Sequence, residues 1–262
     1  MLRAYGVTDK GRIRPTNEDC FAIREELGLC VIADGMGGHN AGEIAARLAV
    51  ETVVEFLRER GAPPRSDEPS SEAPWPFGYD PALSADGNLL RTAIHLANVQ
   101  ILETALSDDH YAGMGTTIVA ARVAEGRLSV AHVGDSRLYV FAEGRLQPMT
   151  LDDSWMATVL VHDPKADPLL LQHHPMRNAL TNVVGARPRT DVHVVESPLA
   201  GGELLLLTTD GVHGVLDDHR IVELLQDGDE PRDIARNMIA SALVRGSRDN
   251  CTAVVARYLP QA

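Results

Sequence analysis

The chain has 262 residues, of which 44% are hydrophobic and 23% are charged, and its formal net charge is −13. This size and composition are typical of one large globular domain, or of two small ones, with a substantial apolar core. The acidic balance argues against binding to nucleic acid or to an anionic membrane, because both require clustered Lys and Arg side chains.

The three cysteines are scattered along the chain without a Cys-x-x-Cys pair: Cys20, Cys30 and Cys251. This spacing supports neither a zinc ribbon nor a disulfide framework. The amino-terminal residues lack the charged and then apolar pattern of a signal peptide, and no apolar run reaches the roughly 18 residues of a membrane span. The expected location is therefore a reducing cytoplasm.

The first predicted elements are a buried strand and a helix. Residues 28–33 form a continuous apolar run, which is typical of a strand buried on both faces. After Gly38, apolar residues recur on one helical face until Gly61 and the prolines behind it end the helix. Residues 61–87 contain six of the fifteen prolines, which predicts an extended surface loop. Three aromatic residues near its end either attach it to the domain or dock a partner: Trp75, Phe77 and Tyr79.

The middle of the chain combines a helix with strands. The helix is predicted over 89–106 from its apolar stripe, and strands are predicted over 115–122, 128–133 and 137–142. From 147 to 185 the pattern weakens and prolines interrupt it, which predicts a helical insertion over one edge of the domain.

The carboxyl-terminal part returns to regular elements. Strands are predicted near 191–196 and 203–208, a helix over 231–244 and a final strand over 251–258. Because strands and helices come in blocks rather than in strict alternation, the sequence predicts an α+β fold with helices layered on largely antiparallel sheets.

Four aspartates lie where an apolar strand is predicted to meet a turn: Asp34, Asp135, Asp210 and Asp249. Carboxylates that converge from several strand ends repel one another unless a divalent cation neutralises them. Oxygen ligands of this kind suit magnesium or manganese, and two such ions can activate a water and hold a phosphoryl group. The repetition predicts a metal centre, although a single Asp-Gly pair is also a common hairpin turn.

A polar segment near the amino terminus supplies further candidates. Glu18 and Asp19 can extend a metal shell through waters, and Arg14 can hold phosphate oxygens in a two-pronged contact. The alternative is a polar loop that caps a helix or a strand, and the spacing alone leaves both interpretations open.

Six short motifs follow one another along the chain. They are Arg-x-x-Asn-Glu-Asp (14–19), Ala-Asp-Gly-Met-Gly-Gly-His (33–39), Gly-Thr-Thr (115–117), Gly-Asp-Ser-Arg (134–137), Thr-Asp-Gly-Val (209–212) and Arg-Asp-Asn (248–250). This ordered set resembles the metal-dependent serine/threonine protein phosphatases of the phosphatase 2C family, in their bacterial form. The resemblance covers nearly the whole chain.

The resemblance implies a single catalytic domain over 1–262 with a four-layer α-β-β-α sandwich, in which helices flank two mainly antiparallel sheets. The 61–87 segment would be a surface loop and the 147–185 insertion a flap beside the active site. The implied activity is hydrolysis of phosphoserine and phosphothreonine by a water that two Mn²⁺ or Mg²⁺ ions activate. Phosphoprotein substrates and a bacterial serine/threonine kinase are the implied partners.

The resemblance also implies roles for the first group of candidate residues. Asp34 would bridge both catalytic ions, with the carbonyl of Gly35 on one of them, and Asp210 and Asp249 would complete the other. Together with Arg14, Asp34 and Asp210 are the residues expected to carry catalysis.

The remaining candidates have supporting roles by the same resemblance. Glu18 would bind through water, Asp19 would support that shell, and Arg14 would hold the substrate phosphate. Asp135, with Asp210, would mark a third and weaker metal position.

Two positions depart from the pattern of the family. Some relatives place a histidine, proposed as a proton donor, where this chain has Met36. His39 is an alternative donor or a turn residue, and we expect it to be dispensable. Relatives often have an aspartate at the position of Gly214, so the third metal is expected to bind loosely or to use waters.

Other residues and other functions complete the expectations. Arg137 and Asn250 are expected to brace turns. A catalytically quiet binding or sensor protein on this fold is the main alternative function, and the complete set of Asp34, Asp210 and Asp249 argues against it. A small-molecule phosphohydrolase and a carboxylate-cluster nuclease are also open, although the net charge disfavours the nuclease.

Overall fold

Two β-sheets form the centre of the structure, a computed structural model that describes residues 1–38, 41–60, 75–163 and 165–260. The strands are β1 (Leu2–Asp9), β2 (Asp19–Arg24), β3 (Leu29–Met36), β4 (Gly115–Thr116), β5 (Ile118–Ala124), β6 (Arg127–Val133), β7 (Arg137–Ala142), β8 (Arg145–Pro148), β9 (His193–Pro198), β10 (Leu204–Thr208) and β11 (Cys251–Tyr258). The first sheet has the order β1-β11-β10-β7-β8. The second has the order β2-β3-β5-β6-β9, with β4 paired to β3. The paired strands of the described chain are antiparallel, as predicted.

Helices cover the outer faces of both sheets. They are α1 (Ala41–Arg60), α2 (Ala85–Ser107), α3 (Trp155–His162), α4 (Pro168–Gln172), α5 (Asp210–His213), α6 (Asp218–Gln226) and α7 (Pro231–Val244). Helices α1 and α2 pack on the second sheet, whereas α5, α6 and α7 pack on the first. Within the described residues, no helix combines the length and the apolar character needed to cross a membrane.

Three apolar cores lie between the four layers. Successive residues of a strand point to opposite faces, so β3 places Val31 in the core under α1 and α2, and Ile32 in the core between the sheets. Strand β10 likewise places Leu205 between the sheets and Leu206 in the core under α5, α6 and α7. Burial on both faces explains the continuous apolar runs of these strands, and the predicted four-layer α-β-β-α sandwich is confirmed.

Several predicted boundaries change. The strand predicted over 115–122 is divided into β4 and β5, with Thr117 between them and opposite Asp34; the Thr117 amide donates to the Asp34 carbonyl at 2.9 Å. The predicted 61–87 loop is too long, because Ser84 caps α2 by accepting from the Gly87 amide at 3.1 Å. Strands β1, β2 and β8 and helices α5 and α6 were not predicted.

The described part of the proline-rich loop is attached to α2. The ring of Phe77 lies 5.0 Å from the ring of His95, and Arg91 Nη1 donates to the carbonyl of Gly78 at 3.2 Å. This agrees with the first of the two interpretations of the aromatic residues. The remainder of the predicted loop, 61–74, lies outside the described residues.

The 147–185 insertion begins at the end of β8 and contains α3 and α4. Its two ends meet in a neck, where the Trp155 amide donates to the carbonyl of Ala179 at 2.8 Å and the Thr181 amide donates to the carbonyl of Asp153 at 2.8 Å. Helix α3 has no buried residue, although its sequence is mostly apolar. The two ends of the insertion are therefore joined by backbone hydrogen bonds at the neck, whereas the residues of α3 are at most half-buried.

Candidate metal centre

The candidate site is a pocket of about 230 Å³ at one end of the sandwich, where β3 and β6 of the second sheet end beside β10 and β11 of the first. The predicted site residues that line it are Arg14, Glu18, Asp34, Gly35, Asp135, Asp210 and Asp249. The structure thus brings together residues that are more than 200 positions apart in the sequence. Asp19 is the exception among the predicted residues, because it lies behind this lining.

Asp34 lies inside a strand and not at a turn, contrary to the prediction. Strand β3 continues through Met36, because Gly35 and Met36 pair with β4. The Asp34 amide donates to Thr117 Oγ1 at 3.0 Å, and the Asp34 carbonyl accepts from Thr116 Oγ1 at 2.9 Å. This ladder fixes the backbone from which the Asp34 carboxylate reaches the pocket.

The Asp210-Gly211 pair starts a helix instead of forming a hairpin turn. Asp210 is the first residue of α5, and its carbonyl accepts from the Gly214 amide at 2.8 Å. A Cβ atom at Gly211 would lie 1.8 Å from the carbonyl oxygen of Asn250, so only glycine fits here. This close approach brings the end of β10 next to Asp249 at the start of β11.

Asn250 holds the amino-terminal segment over the pocket. Its Nδ2 donates to the carbonyls of Lys10 and Thr16, at 2.8 and 2.9 Å, and its Oδ1 accepts from the Glu18 amide at 2.8 Å. These bonds place Glu18 and Arg14 at the rim. The prediction that Asn250 braces a turn is confirmed, and the residue also lines the pocket.

Asp19 supports the site from behind. It faces Asp34 across β2 and β3 and is 8% exposed. Its Oδ2 accepts from Thr252 Oγ1 at 2.6 Å and from Thr209 Oγ1 at 2.9 Å, whereas its buried Oδ1 has no hydrogen-bond partner among the described residues. Burial raises the pKa of Asp19 to about 7, against the lowering effect of both threonines.

The carboxylates of the pocket destabilise one another. Burial, followed by the charges of Asp19, Asp210 and Asp135, raises the pKa of Asp34 well above its usual range. Burial also raises the pKa of Asp135 to about 7 and that of Asp210 to about 6, and a neighbouring aspartate adds to each shift. The side chain of Asp34 lowers the pKa of Asp210, but this effect is smaller than that of burial and of the Asp249 charge.

Arg14 is the counter-charge at the rim of the pocket. Its Nη2 donates to Asp249 Oδ2 at 2.6 Å, and this hydrogen bond is the main cause that raises the pKa of Arg14. The Arg14 side chain is about half exposed, so its remaining donors face solvent and the pocket.

The donor set fits magnesium or manganese. In this conformation, no three His, Cys, Asp or Glu side chains of the described chain are arranged to ligate one ion directly. Hard cations, however, also use backbone carbonyls and waters, and Mg²⁺ keeps several waters. The buried Oδ1 atoms of Asp19 and Asp210 have no hydrogen-bond partner within the described part of the chain, and the carboxyl pKa values are raised. Both features are typical of a site that binds cations.

The pocket also contains residues that the sequence did not indicate. Asn178 and Leu180 come from the insertion and line the pocket together with Thr117. Thr117 lies in the Gly-Thr-Thr motif (115–117), so a role for it could have been inferred. The insertion has no periodic pattern that could have pointed to Asn178 or Leu180.

Arg137, which was expected to brace a turn, bonds to a residue near the start of the insertion. Its Nε and Nη2 donate to the two carboxylate oxygens of Asp152 at 2.8 and 2.7 Å. His132 is 2% exposed within β6, and His39 lies outside the described residues.

Comparison with known sequences identifies the family. The profile of the family described as Protein phosphatase 2C matches residues 15–243. The chain therefore belongs to the protein phosphatase 2C family, and the resemblance predicted from the six motifs is confirmed. By family the protein is a phosphoprotein phosphatase, and this favours the enzyme over the catalytically quiet alternative.

Two bacterial relatives illustrate the similarity. Serine/threonine phosphatase stp of Listeria welshimeri is 31% identical over 258 residues, which are 95% of this chain and 92% of the relative. Serine/threonine protein phosphatase PstP of Mycobacterium tuberculosis is 32% identical over 261 residues, which are 98% of this chain. This alignment covers 45% of that relative, so the chain spans less than half of PstP.

Solved structures share the fold over almost the full chain. The crystal structure of the Mycobacterium tuberculosis phosphatase PstP/Ppp has a TM-score of 0.82 and is 30% identical in sequence. The superposition covers 99% of this chain and 99% of that chain. The PstP catalytic domain in complex with two manganese ions has a TM-score of 0.79 at 30% identity, also with 99% of both chains covered.

Proposed function

We propose that this protein hydrolyses phosphoserine and phosphothreonine in proteins, with Mn²⁺ or Mg²⁺ as its cofactor. The observation that carries the proposal is the convergence of four aspartates from both sheets with Arg14 in one pocket. Family membership and the names of the relatives support the same reaction and the same residue specificity. The manganese ions of the PstP catalytic domain support the choice of metal.

The residues proposed to hold the ions line the pocket, and each of them offers an oxygen atom as a ligand. They are Asp34, the carbonyl of Gly35, Asp210 and Asp249, with Glu18 through water and Asp135 at a third, weaker position. When bound, the ions supply Lewis acidity that lowers the pKa of a water and neutralises phosphoryl charge. Asp19 orients this group through its contact with β3 and its two threonine partners.

Arg14 is proposed to bind the substrate phosphate. It reaches the pocket from the rim and carries five donors, and its Nη2 donates to Asp249. A guanidinium can take two phosphate oxygens at once, which fixes the orientation of the phosphoryl group. Met36 lines the pocket but cannot donate a proton to the leaving oxygen.

The substrates are proposed to be products of a serine/threonine kinase, because phosphoserine and phosphothreonine in proteins arise by phosphoryl transfer to a hydroxyl. The 147–185 insertion is proposed to act as a flap, since Asn178 and Leu180 form part of the pocket wall. A single catalytic domain over 1–262 and a cytoplasmic location stay predictions.

Hydrolysis of p-nitrophenyl phosphate and of phosphoserine peptides, with and without Mn²⁺, tests the proposal. We expect turnover only with the metal, and a loss of about 100-fold or more in kcat for Asp210→Asn, because a carboxylate ligand is removed. Asp218→Asn, an exposed acidic position in α6, is the matched control and should stay active. Absence of turnover in the metal-loaded wild type would favour a quiet binding protein, and full activity of Asp210→Asn would refute the metal assignment.

A further inference from the structure

Asp153 is bound to the turn that carries Asp135. Its backbone amide donates to the carbonyl of Gly134 at 2.9 Å, and its Oδ2 accepts from the Gly134 amide at 2.9 Å. Both polar groups of Gly134 are thus fixed by one residue, directly before Asp135 in the chain.

The same residue holds the returning end of the insertion. Its carbonyl accepts from the amide and the hydroxyl of Thr181, at 2.8 and 3.0 Å, and its Oδ2 also accepts from Asn182 Nδ2 at 2.8 Å. Asn182 in turn donates to the carbonyl of Asp191 at 2.7 Å, so the end of the insertion is tied to the segment before β9.

His193 completes the set of partners from β9. Its Nε2 lies 3.0 Å from Asp153 Oδ1, and the Asp153 side chain is only 14% exposed. The His193 ring lies 5.0 Å from the ring of His132, which is buried. Asp153 therefore bonds to three separate segments with both carboxylate oxygens and both backbone groups.

Asp153 lies between two segments that form opposite walls of the catalytic pocket: the turn that carries Asp135 and the returning end of the insertion. Asp135 lies one residue from Gly134, and Asn178 and Leu180 lie just before Thr181. Leu180 lies between Ala179 and Thr181, which form the hydrogen bonds of the neck, and Asn178 directly precedes Ala179, so the position of both residues depends on the neck. A substrate that touches both walls needs them at a fixed separation.

We propose that Asp153 is a positioning residue for phosphoprotein hydrolysis, which sets the insertion wall of the pocket relative to the turn that carries Asp135. The proposal rests on the proposed function. A bulky phosphopeptide contacts both walls, whereas p-nitrophenyl phosphate needs the centre of the pocket only. Loss of the junction should therefore affect the two substrates differently.

The protonation state of His193 changes the strength of its contact with Asp153. The groups that face it are Asp153, the neutral His132 and the charge of Asp191. The hydrogen bond to Asp153 raises the pKa of His193 against the effect of burial. The pair is an ion pair below that pKa and weakens as pH rises through it, so the KM for phosphopeptides should rise over the same interval.

The test compares KM and kcat for a phosphoserine peptide and for p-nitrophenyl phosphate in manganese-loaded protein. For Asp153→Asn and for His193→Phe, which keeps the ring packing, we expect the peptide KM to rise roughly 10-fold, the loss typical of a hydrogen bond to a charged group. The kcat/KM for p-nitrophenyl phosphate should change less than about threefold. His193→Gln retains a donor and should restore most of the peptide KM, without the pH dependence of the wild type.

Asp108→Asn is the matched control. Asp108 also pairs with a histidine, His110, whose Nδ1 lies 2.8 Å from Asp108 Oδ1, but this pair is exposed and does not line the pocket. Hydrogen exchange of the 178–181 amides in His193→Phe supplies a readout that needs no activity, and we expect it to become faster. Equal effects on both substrates, unchanged exchange, or a peptide KM that stays at the wild-type value in His193→Phe would overturn the proposal. If p-nitrophenyl phosphate is not hydrolysed at all, the proposed function fails, and the exchange result still decides the positioning role.

Discussion

Two glycines determine how closely the segments of the metal centre approach one another. A Cβ atom at Gly35 would lie 2.0 Å from the carbonyl oxygen of Gly42, and one at Gly211 would lie 1.8 Å from that of Asn250. Both distances are too short for any side chain. Gly35 thus permits contact between β3 and α1, and Gly211 permits contact between α5 and the start of β11.

Gly211→Ala should separate α5 from Asn250. We expect the free energy of unfolding to fall by about 1–3 kcal/mol or more, the usual cost of overpacking, and the metal-dependent activity to fall with it because Asp210 moves. Urea unfolding and p-nitrophenyl phosphate assays measure both effects. Gly38→Ala is the control for stability, since an added Cβ there meets no atom of the described residues within 4 Å. A Gly211→Ala protein of wild-type stability would show that α5 and Asn250 can move apart without cost, and would contradict this prediction.

The two threonines that bond to Asp19 stabilise its charged form. Thr252→Val removes the 2.6 Å bond and leaves a buried carboxylate oxygen with one donor fewer. We expect a loss of about 1–3 kcal/mol in unfolding free energy at pH 8, where Asp19 is ionised, and a smaller loss at pH 5, where it is protonated. Chemical unfolding at the two pH values measures this difference. Thr104→Val, which loses a bond to the carbonyl of Gln100 on an exposed helix face, should change little at either pH.

At the scale of elements, α1 and α2 form the outer layer that holds β3 in place. Ile94 of α2 is completely buried in the core between these helices and the second sheet. Ile94→Ala should lower the free energy of unfolding by about 2–5 kcal/mol, because a cavity replaces the side chain. Leu106→Ala in the same helix is the control, since Leu106 is 80% exposed and should change stability by less than about 0.5 kcal/mol. Similar losses for both variants would contradict the assigned packing.

For the whole molecule, the aspartate cluster opposes folding when no cation is bound. The pKa values of Asp19 and Asp135 rise from 3.8 to about 7 on folding, so the folded state holds protons that the unfolded state releases. Where the folded state binds more protons, stability falls as pH rises, here between about 4 and 7. The overall charge of −13 acts in the same direction.

Metal should reverse this dependence. In a chelator, the aspartate cluster should lower the Tm progressively as the pH rises from 4 to 7.5. With Mn²⁺ the Tm should rise over the same interval, because the ions bind ionised carboxylates and stabilise only the folded state. Asp210→Asn should reduce the difference between the two conditions. Identical pH profiles with chelator and with Mn²⁺ would refute a metal centre in this pocket.

The local sequence predicted the elements that show a clear apolar period or a continuous apolar run. Helix α7 and strand β11 lie at the predicted bounds, and β3 and β10 are the continuous apolar runs that two buried faces require. Strand β1 was missed because most of its residues are only half-buried, so its side chains do not alternate clearly between apolar and polar. Helix α5 was missed because Asp210-Gly211 read locally as a turn.

The sequence by itself determined the α+β class through its apolar periods, and the order of its motifs determined the resemblance to the family. That resemblance implied the four-layer fold and most of the residues in the pocket. The tertiary structure alone decided that Asp19 stands behind the pocket and that Asn178 and Leu180 form part of its wall. It also decided that Asp153 joins the insertion to the turn before Asp135. These facts depend on distances between segments far apart in the chain, and no local spacing encodes such distances; they follow from which strands pair and where the backbone can approach closely.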